Sequence, residues 1–295
     1  GNSGVPDPAN WKVYFHDTPM SALNAYVNDA FNAESPCLSS FDDSDYDPPH
    51  GTTFADDVLA DTLPTYAFIE PRYFDNHGGR EGLPPNSNHP GGSDYLGVTG
   101  PPIDVTNGEL LLADICLALF ANPEVYAKTL LIVTYDEHGG LYDHVPPNTA
   151  PFAPKAVSPF VGEQPGNFDY TRFGVRVPTF FVNRRIAREG VYRPPRPESG
   201  PYYPFDHTSI IATLCAQFGL AGPLTPRDAA APILSGLVTT AESETFDPPP
   251  LEELSRWRAS AVGDRKANPQ PPLSPAEHDR RLTAWVRAKA QPRTK

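Results

Sequence analysis

Long apolar runs are missing from this chain of 295 residues. None approaches the ~20 residues that a membrane-spanning helix needs, so no transmembrane segment is expected. Cysteine is scarce: Cys37, Cys116 and Cys215 are the three, and their spacing forms no metal motif. Cys116 and Cys215 lie in helical apolar patterns and are expected as small core residues. One pair could be bridged, and the odd count leaves the redox compartment open. Basic residues are scarce in the first half, where residues 1–150 hold 22 acids against 4 Lys and Arg. The second half holds 14 acids against 19, and the net charge is -13. This acidic balance argues against a nucleic-acid partner, which would require a basic stripe. Its simplest role is solubility. No internal repeat is visible. The opening Gly1–Pro6 is neither basic nor apolar, so no leader is read there. The absence of an initiator Met gives the expectation that the chain was cut from something longer.

Proline, by contrast, is abundant, with 37 residues against a usual share of ~5%. These prolines fall mostly between periodic segments, as expected for long stiff loops on an enzyme-sized body. The chain is long enough to bury the core of one or two domains.

The most informative segment is Thr134-Tyr135-Asp136-Glu137-His138-Gly139-Gly140-Leu141-Tyr142-Asp143-His144-Val145-Pro146-Pro147. It follows Leu130-Leu131-Ile132-Val133, which reads as a strand buried on both faces. Adjacent carboxylates at such a strand end sit where α/β proteins bind ligands. Bare carboxylates are costly to desolvate unless paired or holding a cation. The expectation is a hard divalent metal held by Asp136 and Glu137 at the carboxyl end of a central parallel strand, with His144 nearby. Gly139 and Gly140 are expected to supply positive φ or close backbone approach.

Elsewhere, strands are expected at Trp11–Phe15, Thr65–Glu70 and Val175–Asn183, the last with Pro178 at its start or at a bulge. Helices are expected at Ser21–Phe31, Phe54–Leu63, Thr106–Ala121 with Asp104 as N-cap, and His207–Phe218 ending at Gly219. A Gly-, Pro- and Asn-rich loop of over 30 residues follows Pro71. From about residue 236 the pattern becomes Pro-rich linker, then a terminal helix from Ser274 through Trp285. Alternating strands and helices signal an α/β fold, a parallel sheet with helices on both faces.

The segment TYDEHGGLYDHVPP resembles the signature of a phosphoesterase family that includes bacterial phospholipases C, plant non-specific phospholipases C and a bacterial acid phosphatase. Four other stretches match in the same order: WKVYFHDTP at 11–19, FIEPRYFD at 68–75, NHP at 88–90, and FGVRVPTFFV at 173–182 followed by FDHTS at 205–209. The resemblance spans roughly residues 10–235 and leaves the tail unexplained. Residues 1–235 thus correspond to the C-terminal portion of the family's catalytic domain, with linker and terminal helix over 236–295.

The resemblance implies an alkaline-phosphatase-like α/β fold, with a central, mostly parallel sheet flanked by helices and carrying long Pro-rich loops. It implies metal-assisted hydrolysis of phosphate esters through a covalent phospho-enzyme. Asp136 and Glu137 match the family's metal ligands, the metal's identity being open. His89, His144 and His207 match histidines thought to contact the phosphate or the leaving group, and are the catalytic candidates. His138 and Arg72 are substrate-binding candidates, although a structural contact serves His138 equally well and a salt bridge is the simpler role for Arg72. Asp206 is read first as the N-cap of the helix after it, and Asp143 as a second acid that precedes a site histidine. His16, His50, His77 and His278 are read as surface residues. Phe152, Phe160, Phe168 and Phe173 are candidates for lipid contact.

The family's Glu-Asn metal pair and its Ser or Thr nucleophile precede the strand that Trp11 begins, and Ser3 has no matching context. The expectation is therefore that residues 1–295 alone show negligible turnover. Three activities remain open: a phospholipase C-type phosphodiesterase acting on phospholipid headgroups with transient membrane-surface contact, an acid phosphatase, and a truncated, non-catalytic phosphate-binding relative. The resemblance favours a secreted or periplasmic location.

Overall fold

The structure is a computed structural model. It describes residues 10–16, 37–42, 51–73, 76–77, 80–81, 85–89, 105–147, 172–186, 190–196, 198–199, 202–234, 236–238 and 251–267. In chain order the elements are β1 (Trp11–Phe15), β2 (Leu38–Ser40), α1 (Phe54–Leu59), β3 (Tyr66–Glu70), β4 (Asn76–His77) and β5 (Arg80–Glu81). There follow α2 (Thr106–Ala121), α3 (Pro123–Lys128), β6 (Leu131–Thr134), β7 (Thr179–Val182), α4 (His207–Phe218), α5 (Pro226–Ala230) and α6 (Leu251–Ala267). The chain divides into two compact units, one of residues 1–125 with 249–295 and one of residues 126–248. No helix among the described residues is long and apolar enough to cross a membrane.

The first unit is built on a parallel sheet of order β2-β1-β3, with Val13 opposite both Leu38 and Phe68. Alternation along β1 sends Lys12 and Tyr14 to one face and Val13 and Phe15 to the other. Val13, Tyr14 and Phe15 are all buried. On the Tyr14 side, α1 begins at a capping box in which Thr53 and Asp56 satisfy each other's backbone N–H groups, closing the helix's first turn. Phe54 packs edge-on to Tyr14 and stacks on Phe41. Asp57, one turn in, is 3% exposed. It accepts from Lys12 Nζ and the Tyr14 hydroxyl at 2.6 Å each, and from Thr52 and Thr62 at 2.8 and 2.9 Å. Burial alone would raise its carboxyl, but these donors outweigh burial and hold it below the ordinary 3.8. The Tyr14 phenol is pushed far up, by burial first and then by its bond to Asp57.

Helix α2 has the expected bounds, but its N-cap position is Val105, without a side-chain cap bond. Asp104 lies outside the described residues, as do the helices expected at Ser21–Phe31 and Ser274–Trp285. Helix α6 stands where the sequence reads as linker. Its strongly polar sequence carries no apolar stripe, and it meets α2 through the two-point pair of Arg258 with Asp114. The long loop after Pro71 holds the small antiparallel hairpin β4-β5.

In the second unit β6 departs from expectation. Its partner among the described residues is β7, and the pairing is antiparallel, Leu131 opposite Val182 and Thr134 opposite Thr179. All four β6 residues are half-buried, so the strand is not buried on both faces, and its pairing among the described residues is not parallel. An apolar run reports burial tendency, not the direction of a partner more than forty residues away. Helix α4 matches its expected bounds, with an Asp206–Ser209 capping box at one end and Gly219 at φ 61° at the other. Helix α5 is held by Asp228, which accepts from the Leu224 and Thr225 amides and the Thr225 hydroxyl. None of the three cysteines is disulfide-bonded. Cys37 is buried, while Cys116 and Cys215 are half-buried rather than core residues.

Replacing Asp57 with Asn should lower the unfolding free energy by about 3 kcal/mol, since it strands the Lys12 ammonium. Urea unfolding measures this. A carboxyl lowered on folding stabilises fully above its unfolded value and loses that contribution as pH falls through the folded one. Wild-type stability should therefore drop below about pH 4 more steeply than that of the Asn variant.

Candidate functional site

In the second unit the acidic segment starts where β6 stops. Asp136 and Glu137 are both exposed, and each uses one oxygen to close its own turn. Asp136 Oδ1 accepts from the Glu137 amide at 2.9 Å, and Glu137 Oε2 accepts from the Gly139 amide at 2.6 Å. Gly139 and Gly140 follow at φ 67° and 68°, the left-handed region that disfavours any residue with a Cβ. The Leu141 amide bonds back to the His138 carbonyl, so the chain reverses there. His138 is partly exposed, with Nδ1 3.6 Å from Glu137 Oε2.

His207 is brought to the same strand end. As first residue of α4 it is aimed by the Asp206 cap, and its Nε2 lies 2.7 Å from the Tyr135 carbonyl. A carbonyl only accepts, so Nε2 carries the hydrogen and Nδ1 is left as the proton acceptor. Asp206, read as an N-cap, is one: it accepts from the Thr208 amide and hydroxyl. Its other oxygen lies 3.7 Å from Arg227, whose guanidinium sits over the Phe173 ring. Phe173 is thus occupied by Arg227; Phe152, Phe160 and Phe168 lie outside the described residues.

Further along the loop, Asp143 gives both oxygens to Arg176, each at 2.8 Å. The Arg176 hydrogen bonds come first, and the Val145 amide second, in holding its carboxyl well below the usual range. His144 Nδ1 lies 3.6 Å from Asp143, and its side chain is 83% exposed.

His89 and Arg72 belong to the first unit. The Arg72 carbonyl accepts from the amides of Asn86 and Ser87, and the Asn86 side chain returns a bond to the Arg72 amide. Arg72 therefore anchors the loop that carries the exposed His89. Its side chain is buried against His16 Nδ1 at 3.2 Å. His16 is not the surface residue expected. It is 3% exposed, tilted against the Phe41 ring and in contact with Arg72 and Asn86. Three sequence-distant segments bury it, and no local pattern signals that. His50 and His278 lie outside the described residues.

The sequence profile of the Phosphoesterase family matches residues 7–221. The chain belongs to that family. Non-specific phospholipase C3 of Arabidopsis thaliana is 37% identical over 205 residues, covering 69% of this chain and 35% of the relative. Non-specific phospholipase C6 of the same plant is 36% identical over 211 residues, 70% of this chain and 36% of the relative. Phospholipase C B of Mycobacterium tuberculosis is 27% identical over 270 residues, 86% of this chain and 40% of the relative. The chain thus spans little more than a third of the length of the curated relatives it matches.

A divalent cation is the group that the sequence leads one to expect at Asp136 and Glu137. The donor chemistry of Asp136 and Glu137 fits it. Both are hard oxygen donors, and Asp136 Oδ2 and Glu137 Oε1 take no hydrogen bond among the described residues. They make two donors of a shell, since no group of three or more ligating side chains occurs among the described residues. Asp143 is not a further donor, because Arg176 occupies both its oxygens. The sequence singles out no role for Arg176; the signal it carries is a lone Arg just before β7.

Replacing Asp206 with Ala should cost about 1 kcal/mol by removing the cap, and should free His207 from the Tyr135 carbonyl. Thermal unfolding reads the first effect, and loss of the His207 Nε2–H resonance in ring-nitrogen NMR reads the second.

Proposed function

We propose that the protein hydrolyses phosphate esters as a phospholipase C-type phosphodiesterase, cleaving a phospholipid on the glycerol side of its headgroup phosphate. The observation that carries this reading is the convergence of Asp136, Glu137 and His207 at one strand end, in a chain 37% identical to a plant non-specific phospholipase C over 205 residues. The finer fold in this reading is alkaline-phosphatase-like, with the parallel sheet β2-β1-β3 in its support.

In this reading Asp136 and Glu137 hold the divalent cation. A bound cation supplies positive charge against the phosphate oxygens. His207, with Nε2–H committed to the Tyr135 carbonyl, presents Nδ1 to a proton in transit. His144, open to solvent, protonates the departing alkoxide, and imidazoles suit such exchange near neutrality. His89, on the loop that Arg72 anchors, keeps the role that its match to the family's His-Pro motif implies. His138, beside Glu137, serves the substrate or steadies the turn. Transient contact with a lipid surface belongs to the same reading, supported by Leu141 and Tyr142, 53% and 88% exposed beside the acidic pair.

Assays of metal-replete protein on phosphatidylcholine and p-nitrophenyl phosphate test the reading, with the upstream coding sequence restored in a parallel sample. Turnover should favour the diester; preference for the monoester would make the protein an acid phosphatase. With the upstream coding sequence restored, Asp136→Asn should lower kcat at least a hundredfold, since charge stabilisation of this kind contributes about 3 kcal/mol or more. Activity above a tenth of wild type with normal metal content would remove Asp136 from the site.

A further inference from the structure

Asp136, Glu137 and Asp143 place three acids within eight residues of a loop that is to meet an anionic phosphate. One of them has a counter-ion built in. Arg176 Nε and Nη2 each donate to Asp143 at 2.8 Å, the two-point geometry that arginine makes with carboxylate and lysine does not. Asp143 Oδ1 also accepts from the Val145 amide at 3.0 Å and lies 3.6 Å from His144 Nδ1. Guanidinium, carboxylate and imidazole thus form a row that ties the segment before β7 to the loop after β6.

We propose that Arg176 is a positioning residue for His144, acting through Asp143. The clamp does two things. It pins the main chain on both sides of His144, at Asp143 directly and at Val145 through its amide, so the exposed imidazole swings from a fixed base. It also cancels the carboxylate charge beside the imidazole, leaving His144 facing a neutral pair. Asp143 and, behind it, Arg176 are the charged groups placed against His144 among the described residues. That His144 takes part in turnover rests on the phosphoesterase reading above; the clamp itself does not.

The test therefore needs no turnover. Histidine-ring titration and amide exchange are followed by NMR on the 295-residue chain as wild type, Arg176→Ala, Arg176→Lys, Asp143→Asn and the Asp143→Asn/Arg176→Ala double variant. Arg176 is 61% exposed, so its variants should keep the wild-type melting temperature within a few degrees. Arg176→Ala should raise the His144 midpoint by about half a pH unit, the scale of an uncompensated charge at this distance in water. It should also speed exchange at the Val145 amide about threefold. Arg176→Lys keeps the charge but not the fork, so the midpoint should stay near wild type while exchange still quickens. In the Asp143→Asn background, Arg176→Ala should change neither. Unchanged His144 and Val145 signals in Arg176→Ala, or a shift that survives in Asp143→Asn, would overturn the proposal. Failure of the phosphoesterase reading would instead appear as absent turnover in the metal-replete protein with the upstream coding sequence restored, with these signals intact.

Discussion

The buried carboxylate of Asp57 is the constraint on which the first unit depends. Four donors reach it: two from the same face of β1, one from the turn before α1 and one from the turn after it. Lys12 is half-buried and Tyr14 buried, and both would be costly to leave unmatched; Thr52 and Thr62 are exposed. Buried ion pairs add little net stability compared with apolar packing, because desolvation consumes the attraction. They do penalise every other arrangement. A shift of β1 by one residue would turn Lys12 and Tyr14 to the far face and leave Asp57 bare. Once β1 is fixed, the parallel register places the ends of β1 and β3 together, and there His16, Arg72 and Asn86 meet to hold the loop of His89.

The second unit solves a different electrostatic problem. Like charges close in sequence repel, yet the loop after β6 keeps three carboxylates. It treats them unequally. Asp143 is neutralised by Arg176, while Asp136 and Glu137 each spend one oxygen on a neighbouring backbone N–H and keep the other turned outward. Amide donors hold a carboxylate in place without cancelling its charge. The result is two oriented negative groups at the strand end, with an imidazole of fixed tautomer beside them.

Features written locally were legible in the sequence. Helix α4 was readable to the residue, because Asp206 and Gly219 act through their own neighbours. The left-handed pair after the acids was readable for the same reason. Features that depend on distant partners were not. The antiparallel pairing of β6 rests on β7, and the burial of His16 on Phe41, Arg72 and Asn86. Helix α6 was missed because its packing on α2 runs through a polar pair rather than an apolar stripe. At the site, residue types were evident, but not that Asp143 is already spoken for.

Gly139 and Gly140 carry one more consequence. At Gly140 an added Cβ would meet nothing within 4 Å, so size does not select glycine there. Handedness does. Two successive residues at φ 67° and 68° take a sign of φ that an L-residue resists and a D-residue would not. A semisynthetic chain with D-alanine at position 140 would adopt the same turn with a narrower unfolded ensemble. The loop after the acids is thus defined by chirality, and its glycines are the achiral compromise open to a ribosome.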